Sequence, residues 1–182
     1  MYRTLCSISF AVIASTVPVS AETTAEPASG WKAESFEQSM DHKGKAAGDF
    51  VYTGVRIWST DETQPQIRFG CSERFGLTAN LTFMPASEAK PASNDRLRIR
   101  QMTSNMTIEG RDTVRVPWTV VKETRTVQTR GGKHAAMIYN AVVQNKSITV
   151  KEPYKKKVTI STPPVDSDFA WFTKNCAVTS GS

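Results

Sequence analysis

The residues of this chain able to do chemistry are few. Two histidines, His42 and His134, and three cysteines, Cys6, Cys71 and Cys176, stand against 23 lysines and arginines. A Ser-His-Asp or Cys-His nucleophile would have to use one of those two imidazoles, and no GxSxG turn or other nucleophile signature accompanies either. Asp41-His42 has the chemistry of a metal-ligand pair, yet no second pair stands at usable spacing. Arg130-Gly131-Gly132-Lys133 lacks the earlier glycine and the trailing Ser or Thr of a phosphate loop. Asp61-Glu62 and Asp166/Asp168 fall at a turn and a helix start, where capping accounts for them. No catalytic residue, metal or cofactor is therefore expected. A hydrolase acting on the envelope through two distant carboxylates is the competing enzymatic reading.

Charge carries more information. Residues 22–89 hold ten acids against six Lys/Arg, whereas residues 90–160 hold fifteen Lys/Arg against five acids. Arg96, Arg98 and Arg100 alternate with Leu97 and Ile99, so a strand there would place three guanidinium groups on one face. Lys155, Lys156 and Lys157 follow Pro153-Tyr154, and Arg125, Arg130 and Lys133 flank Gly131-Gly132. If the strands are neighbours, these residues form one positive surface for an anionic lipid headgroup, an envelope polymer or an acidic protein. The bland alternative is a solvated outer face whose charge keeps sheet edges unpaired. Nucleic acid is not expected, because neither a recognition helix nor aromatics interleaved with the basic residues stands out.

The chain start sets the expected compartment. Arg3, the apolar run Leu5 to Ala14 and the small residues Val19-Ser20-Ala21 read as a cleavable signal peptide over residues 1–21, directing the protein to the periplasm or outside the cell. No later run is apolar and long enough to span a bilayer. Cleavage removes Cys6 and leaves Cys71 and Cys176, an even pair in an oxidising compartment, hence an expected disulfide. Asn80, Asn105 and Asn145 begin Asn-x-Ser/Thr triplets, which accept glycans only in eukaryotic secretion; bacterial export is the preferred context.

Residues 22–30 are small and polar, a leader. Trp31 to Asp49 has no clean period and suits a short helix or an irregular wrap. Period-two alternation then predicts strands over Phe50–Trp58, Gln66–Cys71, Leu77–Met84, Leu97–Met102, Thr113–Val121, Ala135–Val143, Ser147–Lys151 and Lys157–Ser161. Pro163-Pro164 ends the last of them. Asp166 to Val178 reads as a helix capped by Asp166 or Ser167, with Phe169, Phe172 and Cys176 on one face. The expected fold is a single mainly β domain over 31–182, an antiparallel sandwich or open barrel with a C-terminal helix closed by one disulfide. Trp58, Trp118 and Trp171 are expected in the core, with Trp31 covering the sheet.

The order Trp31, then Pro65 to Cys71 leading into Leu77–Met84, then Trp118, and finally a terminal Phe169–Cys176 segment resembles the layout of VasI-type exported accessory proteins of type VI secretion. The resemblance implies a periplasmic, disulfide-closed, non-enzymatic accessory domain. The expected function is a small exported binding or accessory protein, with a structural subunit of a secretion or surface assembly as the remaining alternative.

Overall fold

Alternation of apolar and polar residues builds this molecule. The computed structural model describes residues 29–39, 51–63, 65–83, 99–121, 125–130, 132–151 and 157–176. The signal segment, most of the leader, Arg96, Arg98, Lys155 and Lys156 lie outside the described residues. The elements run β1 (Trp31–Ser39), β2 (Val51–Ser59), β3 (Gln66–Ser72), β4 (Gly76–Thr82), β5 (Ile99–Ile108), β6 (Val114–Val121), β7 (Thr126–Arg130), α1 (Gly132–Val143), β8 (Ile148–Lys151), β9 (Lys157–Ile160) and α2 (Ser167–Asn175). The strands form one nine-stranded antiparallel sheet in the order β1-β2-β3-β4-β7-β6-β5-β8-β9.

Alternate residues of every strand supply one continuous apolar face. Val55, Cys71 and Leu77 pair across β2, β3 and β4, as do Ile57, Phe69 and Ala79 in the next row. The same face continues through Val127 and Val120, through Met106 and Val150, and through Ile148 and Ile160, all buried. Helix α2 lies against β1 and β2, and α1 against β4 and β7. Phe69, Tyr139, Phe169 and Phe172 meet where the helices adjoin, and the Tyr139 hydroxyl shares a 2.7 Å hydrogen bond with Thr173.

The inner residues of β6, β8 and β9 are buried although the helices pack mainly on β1, β2, β4 and β7, so the sheet itself must curl over them. The chain just past β9 reaches the start of β1, as such a curl requires. Only two residues, Ser161 and Thr162, separate the end of β9 at Ile160 from Pro163, and the three extended steps from Ile160 to Pro163 span about 10 Å. Trp31 Nε1 donates to the Pro163 and Pro164 carbonyls at 3.3 and 3.1 Å, bringing that chain against the start of β1. A Cβ on Gly30 would sit 2.6 Å from Pro163 Cβ, so only glycine fits this approach. Ile160 lies at the sheet end where β1 finishes, whereas the contact falls where β1 begins. That stagger is what bending a sheet into a barrel requires. The result is an open barrel with β1 and β9 not hydrogen-bonded to each other.

The Cys71–Cys176 disulfide joins the inner face of β3 to the end of α2, with Cα atoms 5.5 Å apart. Asp166 caps α2: its Oδ1 accepts from Phe169 N at 3.0 Å, and its Oδ2 accepts from Trp31 N at 3.1 Å and Ser29 Oγ at 2.7 Å.

Four expectations need correction. Residues 31–39 are a strand, because Trp31 and Ala33 point to the core while Lys32 and Glu34 take the outer face. Ala135–Val143 belongs to a helix, α1: Gly132 at φ 60° turns the chain out of β7, and Ala135, Ile138, Tyr139 and Val142 recur at the helical period. Thr126–Arg130 is a further strand, β7, not expected because Val127 is the one apolar residue in it. Of the tryptophans expected in the core only Trp118 is there: Trp58 is half-buried on the outer face of β2, and Trp171 is exposed on the side of α2 away from Phe169 and Phe172.

Candidate anion-binding face

The outer side of β1, β2 and β3 gathers residues that are far apart in sequence. Strand register sets Lys32 opposite Trp58 and Trp58 opposite Arg68, with Glu34 opposite Arg56 in the neighbouring row. Directly opposed residues project to the same side of a sheet. Lys32 Nζ lies 5.8 Å from the centre of the Trp58 ring, the Arg68 guanidinium 5.7 Å and the Arg56 guanidinium 6.0 Å. Arg56 also lies 5.6 Å from the Phe36 ring centre and pairs with the Glu34 carboxylate through Oε1.

Three cations thus share one indole, with Glu34 as the carboxylate among them. Burial, followed by repulsion from Arg56, pulls the Arg68 pKa below its ordinary value, and Glu34 offsets this in part. A guanidinium still keeps its proton at any physiological pH. Each cation–ring contact is worth roughly 0.5–1 kcal/mol at an exposed site, enough to hold the cations in place without cancelling their charge. Among the described residues Arg68 has no carboxylate at salt-bridge distance. An incoming anion would meet donors already assembled and incompletely neutralised.

Beside this cluster the outer face is hollowed into a cleft of about 270 Å³, lined by Phe36, Gln38, Tyr52, Phe75, Thr78 and Gln128 over a floor of Gly70 and Gly76. The hollow follows from missing side chains. Gly54, Ser72 and Gly76 fall in one row across β2, β3 and β4, with Gly70 in the next. Phe36, directly opposite Gly54, lies over it so closely that a Cβ there would come 2.8 Å from Phe36 Cζ. Tyr52 meets Phe36 and Phe75 edge-on, at 6.0 and 5.3 Å between ring centres. Its hydroxyl donates to Gln38 Oε1 at 2.7 Å, which leaves the Gln38 amide nitrogen free to donate. Arg74 lies 5.5 Å from the Phe75 ring centre at the far side.

The cations expected from sequence are dispersed. Arg100 is exposed and opposes Val120, so it stands on the side of the sheet that faces the barrel interior, at the rim. The backbone of Arg130, the last residue of β7, pairs with that of Thr78, a residue of the cleft. Arg125 turns the chain between β6 and β7 at φ 49°, and Lys133 is exposed at the start of α1. Lys157 opposes Lys151 on β9, an edge strand, where like charges discourage pairing with another sheet. Arg100, Lys133 and Lys157 therefore do not share one face. The premise that aromatics and basic residues are not interleaved also fails, since Trp58, Phe36, Tyr52 and Phe75 sit among Lys32, Arg56, Arg68 and Arg74. The signal available in sequence was the alternation Tyr52, Arg56 and Trp58 on one parity of β2; its partners come from other strands.

His134 is half-buried in the first turn of α1. Among the described residues no three His, Cys, Asp or Glu side chains cluster to hold a metal ion, and no helix is long and apolar enough to cross a membrane. Asn145 is exposed at φ 51° and closes α1, its N–H bonding Val142 O at 2.9 Å and that of Lys146 bonding Ala141 O at 2.9 Å. Compared with protein-family models, curated proteins and solved structures, the chain matches none.

Proposed function

We propose that this is an exported, non-enzymatic binding domain that takes an anionic polymer of the cell envelope on the outer face of β1–β3. The observation that carries the reading is the assembly of Lys32, Arg56 and Arg68 around Trp58 with Glu34 as their carboxylate. Cations held side by side against their mutual repulsion form a field that attracts a polyanion more strongly than scattered charges do. Export rests on the residue pattern of 1–21, and the Cys71–Cys176 disulfide favours an oxidising compartment. An accessory part in an envelope assembly, as the VasI-type layout implies, belongs to the same proposal.

The test is binding of dextran sulfate to the mature, oxidised chain across a salt titration. Wild type is compared with Arg56→Gln/Arg68→Gln and with Arg111→Gln/Arg115→Gln, whose arginines are exposed elsewhere. The expected result is affinity that falls with salt and is lost by more than tenfold in the first variant alone. No binding, or equal loss in both variants, overturns the proposal.

A further inference from the structure

We infer that the cleft beside the cation cluster is a subsite for one acidic sugar ring, so that the polymer bound is a uronic-acid polysaccharide. The inference rests on the proposed polyanion reading and names its ligand. The cleft volume of about 270 Å³ lies just below the roughly 300–1,000 Å³ of pockets that enclose a drug-sized ligand. It suits a single ring of a longer chain that continues across the face.

Its walls and floor fit a pyranose. A sugar ring presents apolar C–H groups on its faces and hydroxyls around its edge, so it needs aromatic walls together with short polar groups. Phe36, Tyr52 and Phe75 provide the walls, and their edge-on packing at 88° and 83° makes a corner rather than the parallel platform on which successive bases stack. The Gln38 amide nitrogen can donate to a hydroxyl, and the Gln128 amide has no hydrogen-bond partner among the described residues. Thr78 Oγ1 donates to Gly70 O at 3.1 Å and keeps its lone pairs to accept. Gly70 and Gly76 leave the floor open to close approach.

Charge selects the acid. Arg56 lies against Phe36 at one side of the cleft and Arg74 against Phe75 at the other. A carboxylate projecting from a sugar ring in the cleft past Phe36 would reach toward the Arg56 side of the cation cluster. Arg68 is in the adjacent row, so a neighbouring unit would meet a further cation.

The experiment measures, by calorimetry on the mature oxidised chain, the affinities of an oligogalacturonate, its methyl ester, inorganic polyphosphate and a single-stranded oligonucleotide. Variants are Gln128→Ala, Tyr52→Phe and Arg56→Gln/Arg68→Gln, each checked for an unchanged melting curve. The oligogalacturonate is expected to bind best. Losing one neutral hydrogen bond in Gln128→Ala should weaken it about fivefold while leaving polyphosphate unchanged. Tyr52→Phe, which frees Gln38, should weaken it by a similar factor, and the double arginine variant should weaken both anions. Equal polyphosphate and oligogalacturonate binding with no effect of Gln128→Ala overturns the sugar subsite and leaves the polyanion reading standing. Preference for the methyl ester or for the oligonucleotide overturns the sugar assignment too. If none of the anions binds, both readings fall.

Discussion

Replacing Asp166 by alanine should destabilise the protein beyond an ordinary helix cap. Oδ1 satisfies the Phe169 N–H of α2, a capping bond whose removal costs about 1 kcal/mol. Oδ2 accepts from the Trp31 N–H of β1 at 3.1 Å, and without it that donor would keep only its longer bond to Ser29 Oγ at 3.3 Å, a further cost of about 1 kcal/mol. The bond from exposed Ser29 adds little. Together Asp166→Ala should cost about 2 kcal/mol, whereas Asp168→Ala, a first-turn acid near the helix N-terminus, should cost about 0.3–1 kcal/mol. Urea unfolding of the oxidised chain, read by circular dichroism, measures both. The midpoint should fall with the slope unchanged.

The same residue sets a pH dependence. Burial alone would raise the Asp166 pKa, but hydrogen bonds from Ser29 and from the backbone of Phe169, Trp31 and Asp168 outweigh it and hold the carboxyl below its ordinary value. A carboxylate with a depressed folded pKa contributes stability above its unfolded value near 3.9, and that contribution is lost as pH falls through the folded value. Wild type should therefore lose stability below about pH 5 more steeply than Asp166→Ala. Parallel pH profiles, or an Asp166→Ala midpoint no lower than that of Asp168→Ala, would refute the role given to this carboxylate.

Further outcomes follow from the closure of the barrel and from the helix ends. Reducing the Cys71–Cys176 bond, which spans 105 positions, should lower stability by about 4 kcal/mol, measured by urea titration with and without reductant. Gly30→Ala drives a Cβ to 2.6 Å from Pro163, so it should cost about 1–3 kcal/mol and speed hydrogen exchange at the Trp31 amide before that of the inner strands. Asn145→Gly should be tolerated, while Asn145→Val, with a branched side chain at φ 51°, should lower the melting temperature measurably because it strains the stop of α1.

What the sequence disclosed follows from which interactions are local. The strands β2 to β6, β8 and β9 are legible because each alternates within a few residues, and α2 because Asp166, Phe169, Phe172 and Cys176 fall within three turns; β7 is not, since Val127 is the one apolar residue in its five. The disulfide is legible by subtraction once Cys6 is assigned to the signal. Helix α1 was open to the same logic, since Ala135, Ile138, Tyr139 and Val142 mark one helical face. The β-branched and aromatic content of the segment points the other way, and tertiary packing beside α2 decides it. Trp171 illustrates the limit of residue type: on a nine-residue helix only one side is covered, and Phe169 and Phe172 take it.

The binding face was hidden for a different reason. Lys32, Trp58 and Arg68 become neighbours only through the pairings of β1 with β2 and of β2 with β3, so no window along the chain contains them. Charge counting pointed away from the site, because residues 22–89 are acidic in sum. Yet those acids are not where the cations are. Asp61, Glu62 and Glu73 stand in loops and turns, Glu37 lies on β1 at the opposite parity from Glu34, others lie outside the described residues, and Glu34 alone is paired into the cluster. The basic residues of 90–160, more numerous, are divided between the rim, the start of α1 and an edge strand. Net charge by segment weighs every residue equally, whereas recognition depends on which charges a register places within a few ångströms of one another. Here the register selects three cations and an indole from a segment whose sum is negative.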